Sequence, residues 1–227
     1  MSKQEMQERW DSLHGVDRYC PRYPDDILVR WAFRNFPLGA SGRGRVLDLG
    51  CGAGRNSLFL AKEGFETYAV DISEAGVKEA QRRSVAEGLK LTTQRAAVDE
   101  IDFPDAFFDG VVCYGVYCYA DLDEIRESLQ RVALTLRPGG KMYCMTRSDE
   151  DWRRKCGEEV GPSRFRLSNL ETDTHAGAEE AMEMTFLDEP SVKALFSDFS
   201  SVELDRRTVS WFNRSYTDDD WLIYATR

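Results

Sequence analysis

The sequence predicts an α/β fold: a mostly parallel sheet with helices on both faces, joined at its C-terminal end by an antiparallel hairpin. Three observations carry this. A β-prone run, Arg45 to Leu49, ends in a glycine loop that opens a helix; strand-like and helix-like runs then alternate as far as residue 145; and two strand-like runs near the end stand too close together for a helix between them.

Each element has its own signal. Residues 1 to about 40 precede the first strand and hold a helix predicted over Asp25 to Phe36, with Ile27, Leu28, Trp31 and Phe36 on one face and Pro21 and Pro24 ahead of it. After Arg45–Leu49, the run Ser57 to Ala61 reads as a helix stopped near Gly64. Thr67 to Val70 is a second strand closed by Asp71, and Ser73 can cap a helix reaching about Gly88. A third strand is expected from Leu91 to Ala97. The continuous apolar run from Phe108 to Tyr114 reads as a fourth strand buried on both faces. Leu122, Ile125, Leu129, Val132 and Leu136 step by three and four, which places them on one face of a helix that Asp121 or Asp123 can cap. Pro138-Gly139-Gly140 ends that helix and leads into a fifth strand, Lys141 to Met145. Ser201 through Trp211 and Trp221 to Ala225 are the hairpin, with residues 213–220 read as its loop.

Two segments fall outside this rhythm, residues 1–40 and 146–187. Both are expected near the carboxyl ends of the strands, where open α/β sheets bind ligands. The chain is therefore read as one domain over 1–227: a lid and helix (1–40), a cofactor-binding core (41–145), an acceptor-side insertion (146–187), and a last helix with the hairpin (188–227). The plainer alternative for the two outlying segments is loop and packing helix.

Composition narrows the partners. The formal charge of -10 and pI near 4.9 disfavour electrostatic capture of nucleic acid or an anionic membrane. No apolar run reaches membrane-spanning length and no secretion signal is seen, so a soluble cytoplasmic protein, monomer or homodimer, is expected. The six cysteines show no Cys-x-x-Cys spacing and only two histidines are present, so no metal site is expected.

The chemistry concentrates at Gly50-Cys51-Gly52-Ala53-Gly54. Glycines there let the backbone turn sharply and approach a ligand with no Cβ in the way, and the following helix points free N–H groups at the same place. Such a loop suits an adenosyl cofactor with a carboxylate tail or a dinucleotide pyrophosphate. An acid about twenty residues on, Asp71, stands where a ribose diol is held by a carboxylate.

The motifs decide between these ligands. Val46-Leu47-Asp48-Leu49-Gly50-Cys51-Gly52-Ala53-Gly54-Arg55-Asn56-Ser57 resembles the first motif of class I S-adenosylmethionine-dependent methyltransferases, especially small-molecule members such as the tellurite-resistance type. Ala69-Val70-Asp71-Ile72-Ser73 is similar to their second motif. Phe103 to Asp109 resembles the approach to their fourth strand, and Leu136-Arg137-Pro138-Gly139-Gly140 the turn before their fifth. The resemblance implies a seven-stranded Rossmann-like sheet, S-adenosylmethionine as cofactor and S-adenosylhomocysteine as product. It also implies that Asp48 and the backbone of Gly50, Cys51, Gly52 and Gly54, with Asn56, surround the methionine part. Asp71 would bind the ribose hydroxyls and Ile72 would pack on adenine. Many relatives place an aspartate after the third strand for the adenine amino group; here Ala97 aligns there, leaving Asp99 after a loop shift, or the Val98 backbone. Tyr19, Arg22 and Tyr23 are apt for a cover over the cofactor, an arginine suiting the methionine carboxylate and an aromatic face the sulfonium; packing is the alternative.

Tyr114 to Tyr119 follow the fourth strand and would face the methyl group, which makes Tyr117 and Tyr119 candidate acceptor-orienting residues, with aromatic packing as the alternative. His14 and His175 are the imidazoles available as base. Arg147, Arg153, Arg154, Lys155, Arg164 and Arg166 hint at an anionic small-molecule acceptor, but interleaved acids favour a salt-bridged surface. A nicotinamide-dependent oxidoreductase would share the loop and Asp71, yet its third glycine normally falls where this chain has Arg55. A non-catalytic scaffold of the same fold is the other alternative.

Overall fold

A computed structural model describes residues 1–40, 42–170 and 177–227. The chain runs α1 (Lys3–His14), α2 (Asp26–Asn35), β1 (Arg45–Leu49), α3 (Arg55–Lys62), β2 (Glu66–Asp71), α4 (Glu74–Ala86), β3 (Leu91–Arg95), β4 (Phe108–Tyr114), α5 (Leu122–Thr135) and β5 (Leu136–Arg147). It continues through β6 (Gly157–Gly161), β7 (Arg164–Leu167), β8 (Glu183–Thr185), α6 (Glu189–Leu195), β9 (Ser201–Trp211) and β10 (Tyr216–Thr226). Seven strands form one sheet in the order β3-β2-β1-β4-β5-β10-β9, parallel except that β10 runs antiparallel to both β5 and β9.

Alternation along β1 splits the core between the two faces of the sheet. Leu47 and Leu49 join Ile125, Leu129 and Val132 of α5 on one side, with Val192 and Leu195 of α6. Val46 joins Leu28, Trp31 and Phe36 from the α2 region on the other, with Leu60 of α3. Each such buried side chain contributes about 1.5–3 kcal/mol. Because β2 and β4 flank β1 on opposite sides, the connections leaving β1 and β4 diverge, and a cleft opens at their carboxyl ends.

The expected elements are present, with five informative differences. Before the first strand, α1 adds a helix, started by a capping box in which Ser2 and Glu5 satisfy each other's backbone N–H. The third strand stops at Arg95, so Ala96 to Asp99 leave the sheet. Helix α5 ends at Thr135 and Leu136 already pairs with Phe108, a bulge absorbing the Pro138-Gly139 turn. The hairpin is tighter than expected: Tyr216 pairs with Trp211 and strand β10 includes Asp218, Asp219 and Asp220. Three consecutive aspartates read as loop, but here Arg147, Arg206, Arg207, Trp152 and Trp211 meet their carboxylates. The insertion also folds, as a three-stranded antiparallel sheet β6-β7-β8 over an apolar cluster of Phe165, Leu167, Leu170, Met184 and Phe186. Among the described residues no helix is long and apolar enough to cross a membrane.

Candidate cofactor and acceptor site

A cleft of about 320 Å³ lies at the carboxyl ends of β1 and β4, under the N-terminal helix. One wall is made of backbone. Gly50 has φ +77°, and a Cβ there would stand 2.1 Å from Val116, so no other residue fits this turn without displacing the β4 exit. Gly50, Cys51, Gly52 and Ala53 line the cleft, with Arg55 and Asn56 from the first turn of α3.

Asp71, at the end of β2, is buried and lines the same cleft. Its Oδ2 accepts from the Gly52 N–H at 2.7 Å and its Oδ1 from the Ser73 N–H at 2.8 Å. A carboxylate offers roughly four lone-pair positions, so two bonds leave capacity for a diol. Burial raises the Asp71 pKa, with the neighbouring His14 and the two N–H donors opposing. Past Asp71, Ile72, Ala96, Ala97, Val98 and Asp99 line the far end. Asp99 Oδ2 pairs with Lys3, while its Oδ1 is buried with no hydrogen-bond partner among the described residues.

Helix α1 closes the cleft from above. Its Asp11 accepts from the Ser73 hydroxyl at 2.8 Å and the Ala75 N–H at 3.0 Å, adding a cap to α4. Met6, Trp10 and His14 face the cleft. His14 stacks on Trp10 with ring centroids 5.4 Å apart, and burial pushes its pKa below the ordinary value although Asp71 and Asp11 oppose this. Sequence reasoning missed this helix; the Ser2–Glu5 capping box was the available signal.

The opposite wall is held by charged side chains. Tyr114 donates to Asp25 Oδ2 at 2.9 Å, and Arg207 donates to the same oxygen at 2.8 Å. Arg207 also grips Asp220, which accepts from Arg147 at 2.6 Å. Arg147 lies 3.5 Å from Asp151, and Asp151 accepts from Arg153 at 3.0 Å. Arg153 donates to Glu179 at 2.5 Å, and Glu179 accepts from Tyr119 at 2.8 Å. One continuous arch of ion pairs thus joins the two tyrosines that line the cleft. Burial and the nearby Arg147 work against the charge of Arg153, but Glu179, Asp151 and Asp218 outweigh both and hold its pKa above the ordinary value.

Several expected site residues stand elsewhere. Tyr117 points into the core, 1% exposed, with its hydroxyl 2.9 Å from the Ser128 hydroxyl; the short helical turn after β4 rotates it away from the cleft. Tyr23 is 83% exposed, and Arg22 is exposed and near Asp17, because the chain turns outward after Pro21 before the Asp25 cap; neither lines the cleft, whereas Tyr19 does. Gly54 caps α3 with φ +87°, and a Cβ there would meet Ala80 at 2.7 Å, so it serves helix packing rather than the ligand wall. Asp48 lies behind the loop, 1% exposed, accepting from Ser57 at 2.5 Å; burial pushes its pKa up to about 6 despite Ser57 and Arg55. His175 lies outside the described residues. Of the basic residues in the insertion, Arg147, Arg153, Arg164 and Arg166 are engaged with carboxylates.

This fold and site define a Rossmann-like nucleoside-cofactor protein of the methyltransferase kind, and comparison with known proteins agrees. The methyltransferase domain family matches residues 46–140. A ubiquinone biosynthesis O-methyltransferase from Bradyrhizobium diazoefficiens is 30% identical over 175 residues, covering 74% of this chain and 67% of that one. An O-methyltransferase resE from Aspergillus sclerotiorum is 31% identical over 108 residues, 46% of this chain and 40% of that protein. The chain spans about half the length of several curated relatives it matches. Among solved structures, a S-adenosylmethionine-dependent methyltransferase from Methanosarcina mazei superposes with a TM-score of 0.69 at 20% identity, covering 90% of this chain and 98% of that one. A 1,6-didemethyltoxoflavin-N1-methyltransferase from Burkholderia thailandensis, solved with S-adenosylhomocysteine, gives 0.67 at 19% identity, covering 100% and 91%. The chain belongs to the class I S-adenosylmethionine-dependent methyltransferase superfamily.

Proposed function

We propose that the protein transfers a methyl group from S-adenosylmethionine to a small-molecule acceptor by in-line displacement. The observation that carries this is the pairing, within one cleft, of the Asp71 carboxylate at one position and the unpartnered Asp99 Oδ1 at another. A buried acceptor atom without a donor is costly, and an adenine amino group would satisfy it. The residues therefore fit the cofactor: the glycine loop against the methionine part, Asp71 on the ribose diol, Ile72 and Val98 against adenine, Asp99 on its amino group.

When bound, S-adenosylmethionine supplies an activated methyl group on a sulfonium sulfur. The protein's task is then to hold the acceptor in line and exclude water. Tyr114 and Tyr119 suit that task and are poor bases, since each donates its hydroxyl proton to a carboxylate, and burial with those carboxylates raises both pKa values. His14 stands beside Asp71, on the ribose side, and the lining carboxylates Asp99 and Glu124 lie near Lys3 at the adenine end. The acceptor is thus one whose oxygen, nitrogen or sulfur attacks without a strong base from the described residues.

Calorimetry with S-adenosylmethionine, S-adenosylhomocysteine and NAD is expected to show binding of the first two alone, and Asp71→Ala should lower S-adenosylhomocysteine affinity by about 100-fold. Tight NAD binding, or full affinity in the variant, would overturn the reading. Incubation with methyl-labelled donor and metabolite pools, read by mass spectrometry, would identify the acceptor.

A further inference from the structure

Where β4 leads toward the insertion the cleft is walled by aromatic rings, and the charges around them are already engaged. Arg164 uses all three guanidinium nitrogens within the protein: Nε on Glu183 at 3.2 Å, Nη1 on the Thr185 hydroxyl at 3.1 Å and Nη2 on the Tyr119 carbonyl at 3.3 Å. Lys3 pairs with Asp99. Arg55, in the first turn of α3, lies over Tyr114 with its guanidinium 4.8 Å from the ring centroid, and Arg207 lies over the same ring at 5.8 Å. Two guanidinium groups thus already sit on Tyr114.

Tyr119 is arranged differently. Its hydroxyl donates at 2.8 Å to Glu179, which stands outside the cleft lining and is shared with Arg153, so what Tyr119 offers the cleft is its ring. Trp10 of α1 meets that ring almost at right angles, with centroids 4.9 Å apart and 80° between the planes. Both side chains line the cleft and are half-buried. Trp10 also stacks on His14, whose imidazole is held toward its neutral form by burial although Asp71 and Asp11 oppose this. Two perpendicular rings make a corner. A flat ring entering it lies face-on to one wall and edge-on to the other, the two arrangements that the quadrupole of an aromatic ring favours. An anion there would lose its hydration and find each described cation of the lining either paired or already stacked on Tyr114.

We infer that the acceptor is a flat, uncharged aromatic molecule seated in the corner between Trp10 and Tyr119. This rests on the methyl-transfer reading above and replaces the anionic acceptor that the basic residues of the insertion had suggested. The test is binding, not turnover. Calorimetry on the full chain saturated with S-adenosylhomocysteine would compare three probes at neutral pH: 1-naphthol, its saturated counterpart decahydro-1-naphthol, and the anion 1-naphthoate. The wild type should bind 1-naphthol about 3- to 10-fold more tightly than the saturated probe and at least about 10-fold more tightly than the anion. Tyr119→Leu should weaken 1-naphthol by about 10-fold, and Tyr119→Phe should restore most of that loss, because the ring and not the hydroxyl makes the contact. Equal or tighter binding of either other probe, no binding of 1-naphthol, or a Phe variant as weak as the Leu variant would overturn the inference while leaving the cofactor reading intact. A wild-type chain that does not bind S-adenosylhomocysteine would overturn both.

Discussion

The two walls of the cleft hold their shape by different physics. The wall proposed to hold the cofactor, from Gly50 to Ala53 and Asp71 to Ser73, is a backbone surface: tight turns, N–H groups and one carboxylate bonded to them. The opposite wall, which we propose faces the acceptor, is a chain of side-chain ion pairs gathered from α2, β5, the insertion and the hairpin, running from Asp25 to Glu179. A backbone wall tolerates no change of shape at a few positions. An ion-pair wall is sensitive wherever removal of one charge strands its partners in a dry interior. The difference teaches where each kind of variant should act, on ligand affinity for the first wall and on stability for the second.

The strongest break of that comparison is Arg153→Met. Its removal leaves Asp151, Glu179 and Asp218 without their shared cation, and urea unfolding should show a loss of about 3–5 kcal/mol, with S-adenosylhomocysteine affinity nearly unchanged in the folded fraction. A large affinity loss at unchanged stability would merge the two walls into one.

Asp48 sharpens the comparison through pH. Its folded pKa is raised to about 6 from an ordinary 3.8, so its contribution favours the folded state at low pH and is lost as pH rises through 6. Relative to Asp48→Asn, wild type should lose ~3 kcal/mol of stability between about pH 4 and pH 6. Parallel stability curves for the two proteins would show that this carboxyl is not desolvated.

A smaller effect is expected from Gly50→Ala, which places a methyl group against Val116 at positive φ. Affinity for S-adenosylhomocysteine should fall about 10- to 30-fold, by ~2 kcal/mol of strain, and Val116→Ala should recover part of it. No recovery would mean that backbone strain alone sets the cost. Last, Tyr117→Phe should cost about 1 kcal/mol of stability through the lost Ser128 bond and leave cofactor affinity untouched.

Much of the cofactor wall was legible because its information is local. Glycines at 50, 52 and 54 and the acid at 71 are imposed by backbone turns and close approach, which a sequence displays directly. The end proposed to hold adenine was legible only in outline, since the positions of Val98 and Asp99 depend on where β3 ends and which oxygen Lys3 takes. Tyr117 and Tyr119 are two residues apart with the same side chain, yet a short helical turn buries one and turns the other to the cleft. Periodicity carries no sign of which is which.

The sequence by itself determined the alternation of strands and helices, the glycine loop with its acid at 71, and, through the resemblance of its motifs, the family, because these follow from side-chain period, backbone conformational need and local motif. Only the tertiary structure decided that three aspartates at 218–220 belong to a strand, that Arg22 faces solvent while Arg55 faces the cleft, and that the basic residues of the insertion are largely spoken for. Those outcomes depend on charges brought together from distant parts of the chain, and the energy of an ion pair exists only once folding has placed both partners side by side out of water.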